Sequence, residues 1–251
     1  MRLRRNYRAT SQQGFTLLEL LLVMLILSLI VGAVFSQMSD AQQRLGTEEN
    51  RLGDFQEARD FVDQFFRDIN QAGTPNIRMF DPTVITFGPP PVNDSRLAVG
   101  LVSIADNALG FEGSVNGTGT VQSVIYQLNG SLTCGACLQR SQIDKINGSS
   151  VNGQNTPNWG TEINDVITSP IFKYYQYDGT QIPSSSLPAD ISTSAGQQLI
   201  ANVKTIQINL TIRNSKVLDQ KTGLPIETSF EGEISLNNCS MATTSLPMSC
   251  Q

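Results

Sequence analysis

From Phe15 to Phe35 the chain runs through 21 residues in which Glu19 carries the only charge. A helix of that length is roughly 31 Å long, about the thickness of a bilayer hydrocarbon core. Beyond Phe35 the pattern turns polar with no intervening proline. Apolar residues then return at Leu45, Leu52, Phe55, Val62, Phe65, Phe66 and Ile69. Steps of three, four or seven set such residues on one helical face. Asp54, Glu57, Asp60, Asp63 and Arg67 fill much of the remaining circumference. The pattern predicts one continuous helix that packs its stripe onto its own domain and stops at Gly73-Thr74-Pro75. If straight from Phe15 to Ala72 it would measure about 87 Å. Gly32, Gly46 and Gly53 weaken it by roughly 1 kcal/mol each relative to alanine.

Past the helix the period falls to two. Thr83–Phe87 and Leu97–Ala105 are predicted strands, with Pro89-Pro90-Pro91 a stiff loop between them. Val124–Leu128 leads into Asn129-Gly130, a preferred pair for a tight hairpin, and Ser131-Leu132-Thr133 forms the return. Ile171–Tyr177 is an aromatic strand closed by Asp178-Gly179, and Pro188 to Ala201 is a short helix or an irregular crossing. Ile206, Ile208, Leu210 and Ile212 alternate cleanly, and Phe230, Ile234 and Leu236 are placed to pair with them across a loop ending in Gly223-Leu224-Pro225. The stretch from Asn147 to Trp159, rich in Asn, Gly and Ser, is an expected exposed loop. The fold class is α+β: a long helix and an antiparallel sheet, each hiding the other's apolar face.

A lone carboxylate in a potential membrane span calls for an explanation. Asp in the middle of such a helix costs on the order of 2.5–3.5 kcal/mol, and Glu near an end should cost somewhat less. Arg2, Arg4, Arg5 and Arg8 precede it with no acid among them, so the positive-inside rule keeps this segment cytoplasmic. A secretory signal is cut after its apolar region, and Val31-Gly32-Ala33 is a weak site of that kind. Neither a conventional signal peptide nor a plain signal anchor explains the order Gly14, Phe15, Glu19.

Gly14-Phe15-Thr16-Leu17-Leu18-Glu19-Leu20 resembles the class III leader junction of type IV pilins and pseudopilins. The resemblance implies cleavage after Gly14 by a membrane prepilin peptidase and N-methylation of Phe15. It implies that Glu19, fifth residue of the mature chain, meets the N-terminal ammonium of a neighbouring subunit in a filament. A low-dielectric core strengthens that attraction, and a helix N-terminus favours an anion. The organisation that follows is a leader at 1–14, a transmembrane and filament-core half-helix at 15–35, an amphipathic half-helix at 36–73, and an exported β-rich domain at 74–251. Many major pilins carry a proline where this chain has Ser36. The ending Arg67-Asp68-Ile69-Asn70-Gln71-Ala72-Gly73 resembles PilW-type minor pilins and, more loosely, the larger minor pseudopilins of type II secretion.

Removing the leader, which holds four of the 17 basic and none of the 22 acidic residues, leaves 237 residues with a formal charge of −9. Roughly 180 residues beyond the helix suffice for one core. The acidic balance offers no basic face for nucleic acid. With no histidine in the chain there is no His-based triad and no imidazole metal ligand. No Gly-rich phosphate loop follows a strand, and no acidic pair stands out from solvated charge. No catalytic residue, metal or cofactor is expected.

Cys134, Cys137, Cys239 and Cys250 all lie in the exported part. Cys134-Gly135-Ala136-Cys137 has the spacing of a redox pair or half a zinc site, but lacks a following helix and a second close pair. Structural disulfides in an oxidising compartment are the expected use. Three pairings are open; Cys134–Cys137 with Cys239–Cys250 is preferred, and the latter loop resembles the disulfide-bounded loop of many pilins.

The functional expectation is a minor pilin that helps initiate, cap or functionalise a type IV pilus, lodged first in the inner membrane and then in a filament with other pilins. A minor pseudopilin of a type II secretion system and a membrane-anchored binding domain are the alternatives. Gly14→Val should leave full-length precursor, read on a gel and by N-terminal sequencing; normal processing would contradict the peptidase assignment.

Overall fold

The computed structural model describes residues 16–76, 79, 94–130, 135–146, 156–219 and 222–239. The leader, the expected strand at 83–87 and the proline loop at 89–91 lie outside these residues. Two compact units are present, residues 1–48 and 49–251. Helix α1 (Leu17–Asn70) runs through both. In the first unit its apolar side chains are exposed, from Leu17 at 78% to Val31 at 42%.

Among the described residues, the second unit contains two antiparallel sheets. The larger has six strands: β1 (Leu101–Ala105), β2 (Ala108–Gly113), β3 (Gln122–Asn129), β4 (Cys137–Asp144), β5 (Trp159–Ile163) and β7 (Ala189–Asp190), in the order β5-β4-β3-β2-β1-β7. The smaller is β6 (Phe172–Gln176), β8 (Val203–Leu218) and β9 (Pro225–Ser235), in the order β6-β8-β9. A short helix α2 (Ser194–Ala201) precedes β8, its first turn capped by Thr193 Oγ1, which accepts from Gly196 N–H. Of the two readings of Pro188 to Ala201 the short helix is found, and the residues before it hold strand β7, paired with β1.

One core joins these parts. Ala58, Phe61, Val62, Phe65, Ile69 and Ala72 of α1 and its exit are buried with residues of both sheets. Phe65 stacks on Phe172 of β6 with centroids 5.7 Å apart, and meets the Tyr126 ring of β3 edge-on at 5.3 Å. The expected stripe is therefore half right. Val62, Phe65 and Ile69 are buried, whereas Leu45 and Leu52 are exposed at 70% and 56%. The buried face takes in Ala58 and Phe61; one turn earlier Phe55 already meets Phe230 of β9, ring centroids 6.2 Å apart, but stays 40% exposed.

The β8–β9 pairing follows the alternation, with Ile206 opposite Ile234 and Leu210 opposite Phe230. At Asn129-Gly130 the structure departs from expectation. Strand β3 continues through Asn129, whose partner is Cys137, so the return strand starts at Cys137 and no two-residue turn forms. A tight turn would have set Tyr126 opposite Thr133; the observed register sets it opposite Arg140, and the two serve one buried carboxylate. Side-chain pairing across the strands overrides the local turn signal.

Leu97–Gly100 is not strand. Gly100 has φ 84°, where glycine is favoured, and Ala98 N–H donates to the Pro75 carbonyl at 2.9 Å. Trp159 opens edge strand β5 and is not a loop residue. The exit of α1 is clasped by β2: Ala72 bridges Gly113, Gly73 N–H donates to Glu112 O, and Ser114 N–H donates to Thr74 O. A Cβ on Gly113 would strike the Gln71 carbonyl oxygen, so only glycine admits this approach.

Phe65→Ala should destabilise the domain by about 3–5 kcal/mol, whereas Leu52→Ala should stay within about 0.5 kcal/mol. Urea unfolding of the detergent-solubilised chain, followed by tryptophan fluorescence of Trp159 or by circular dichroism, would measure both.

Candidate functional site

Glu19 lies in the first turn of α1. Its backbone N–H donates to Thr16 O at 3.1 Å and to Thr16 Oγ1 at 3.3 Å, and Leu20 N–H donates to Thr16 O at 3.2 Å. Thr16-Leu17-Leu18-Glu19 has the spacing of a capping box, and the threonine half of it is formed. That spacing is legible in the sequence and marks where the helix begins. Glu19 itself is exposed. Over the following turns α1 is apolar on every side, and none of that apolar stretch is buried. A helix hydrophobic all round needs lipid or other helices around it.

Gly14, Phe15, Arg2, Arg4, Arg5, Arg8, Cys134 and Cys250 lie outside the described residues. Cys137 and Cys239 are 0% and 5% exposed, and neither is a free thiol. Cys137 opens strand β4, a buried position without the helix N-terminus that activates a redox thiol. Among the described residues, no three His, Cys, Asp or Glu side chains converge as metal ligands.

Two buried clusters pair an acid with a base, which the sequence reading did not single out. Asp68, on the last turn of α1, is buried. Its Oδ2 accepts from Tyr126 OH at 2.7 Å, Arg140 Nε at 2.9 Å and Arg140 Nη2 at 2.7 Å. Arg140 Nε also reaches Tyr126 OH at 3.1 Å. Burial, then the Asp68 charge, pushes the Tyr126 hydroxyl up, so it stays a donor. Burial likewise raises Glu162 nearby, against the Arg140 charge. The sequence signal for Asp68 is its register: it shares a face with Phe61, Phe65 and Ala72 at helical spacing.

The second cluster is Glu112 with Lys145, both fully buried, with Nζ 2.7 Å from Oε2. Glu112 Oε2 also accepts from Val99 N–H at 3.1 Å, and Lys145 Nζ donates to Leu97 O at 2.8 Å. Burial raises the Glu112 carboxyl, opposed by the lysine charge. Strand alternation gives no warning of this pair, since β2 is buried on both faces over most of its length.

Residues 10–35 match the family model described as the prokaryotic N-terminal methylation motif. The N-terminus is type IV pilin-like. No curated protein and no solved structure matches the chain. The motif and the apolar α1 together fit a pilin- or pseudopilin-like subunit anchored in the inner membrane, processed by a prepilin peptidase and assembled with other pilins. Such a motif marks a structural subunit and no known enzyme family.

Removing Asp68 alone leaves the Arg140 guanidinium buried without its counter-charge. Asp68→Ala should cost about 3–5 kcal/mol, and the double variant Asp68→Leu/Arg140→Met should cost less than that single change. Urea denaturation of both variants checks the order; equal losses would mean the pair is not the source of the penalty.

Proposed function

We propose that this chain is a minor pilin subunit that helps initiate, cap or functionalise a type IV pilus. The observation that carries the reading is the methylation motif at residues 10–35, heading a helix whose apolar window is unburied and in which Glu19 is the lone charge between Phe15 and Phe35. Arg2, Arg4, Arg5 and Arg8 hold the leader in the cytoplasm, and the domain beyond α1 stands in the periplasm. Cleavage after Gly14 frees the amine of Phe15, which is then methylated. Glu19 takes the ammonium of a neighbouring subunit as its partner once the helix leaves the bilayer. That pairing offsets part of the carboxylate's desolvation.

The domain carried outward is a display and contact module. Cys134–Cys137 and Cys239–Cys250 are its proposed disulfides, consistent with the bonded state of Cys137 and Cys239. The helix ending Arg67 to Gly73 favours the minor-subunit reading, with a minor pseudopilin of type II secretion as the second reading through the same assembly chemistry.

Glu19→Ala should be cleaved normally but recovered with far fewer neighbouring subunits on co-purification. Mature N-terminal sequencing and pull-down of the same preparation measure both steps. Unchanged co-purification would refute the charge-pair role.

A further inference from the structure

Glu112 and Lys145 form a buried acid–amine pair that the assembly reading leaves unused. Glu112 on β2 and Lys145 just past β4 have no exposed side-chain surface, and Nζ sits 2.7 Å from Oε2. Oε2 and Nζ have further partners in the Val99 N–H and the Leu97 carbonyl. The other carboxyl oxygen, Oε1, is buried with no hydrogen-bond partner. A buried acceptor left unmade is costly, and a buried charge more so.

We propose that Lys145 and Glu112 condense into an intramolecular amide, an isopeptide cross-link between the end of β4 and β2. One proton passes from the ammonium to the carboxylate, giving the neutral acid and amine that a low-dielectric site favours. The Nζ lone pair adds to Cδ, forming the C–N bond. The Cδ–Oε1 bond breaks, and Oε1 leaves as water with two of the three ammonium protons. Ammonium plus carboxylate gives amide plus water, so charge balances and neither oxidant nor co-reactant is needed.

Polar-atom accounting favours the product. The oxygen that leaves is the unpartnered one. The oxygen that stays keeps the Val99 N–H, and the remaining N–H keeps the Leu97 carbonyl. Two buried charges become one satisfied amide. Fixed contact in a water-excluded site supplies the proximity that such a condensation needs in solution. Burial raises the Glu112 carboxyl, in the sense that populates the neutral acid. Asp94 is a second carboxylate that feels the Lys145 charge, but Arg96 holds both of its oxygens, at 2.5–3.2 Å. Glu112 is therefore the electrophile.

The link would close a loop containing β3 and β4 and tie the 97–99 segment to the strand that clasps the exit of α1. It does not depend on the filament assignment, since it rests on the domain core alone.

The test is the intact mass of the purified mature protein after folding, reduced and denatured so that disulfides do not contribute. The expected mass is lower than that of the sequence by one water, with a protease-resistant bond joining the peptides that contain Glu112 and Lys145. Lys145→Arg keeps a cation beside Glu112 but offers no amine, and should restore the full mass. Full mass in the wild-type protein overturns the proposal. So does a lost water in Lys145→Arg, or one mapped to the Asp178-Gly179 turn or to a Lys145–Asp94 link.

Discussion

Phe65 is wedged between Tyr126 of the six-stranded sheet and Phe172 of the three-stranded one, with no surface left to solvent. That aromatic contact is the constraint on which the domain depends. Neither sheet covers the other's inner face alone, and α1 cannot hide its lower stripe without both. Tyr174 adds a polar tie between the sheets, its hydroxyl donating to the Ala105 carbonyl at 2.8 Å beside the β1–β2 turn. Burial pushes that hydroxyl's ionisation upward, which keeps the tie a hydrogen bond and not a charge.

The same helix carries two carboxylates under opposite conditions. Asp68 finds its counter-charge within the domain, from Arg140, with Tyr126 as a second donor. Glu19 has no such partner on its own helix among the described residues, and its surroundings are apolar and exposed. One charge is satisfied by folding. The other is the charge that the proposed subunit role would pair in assembly.

The buried ion pairs also set register. A slip of one residue would turn every side chain of a strand to the other face, and the network that places Tyr126 and Arg140 side by side over Asp68 excludes a slip of two as well. This explains why Asn129-Gly130, a strong local turn signal, does not turn. Glu112 has a comparable effect at the helix exit: its carboxyl holds Val99 while its carbonyl takes Gly73 N–H. The close approach there requires Gly113, since any side chain would meet the Gln71 carbonyl.

By itself the sequence determined what depends on short-range periodicity and on local chemistry. The apolar span, the continuation of α1 to the turns before Gly73, the alternation of β8 and β9, and the N-terminal methylation motif at residues 10–35 are all properties of neighbouring residues. Helical and strand periods repeat within a few positions, and a peptidase reads a contiguous segment. Tertiary structure alone decided the rest. Leu52 and Val62 lie on one predicted stripe, yet only Val62 is covered, because cover depends on where the sheets begin. Asp68 with Arg140, and Glu112 with Lys145, are 72 and 33 residues apart in the chain. No local pattern couples charges at such separations; folding brings them together and removes the water between them.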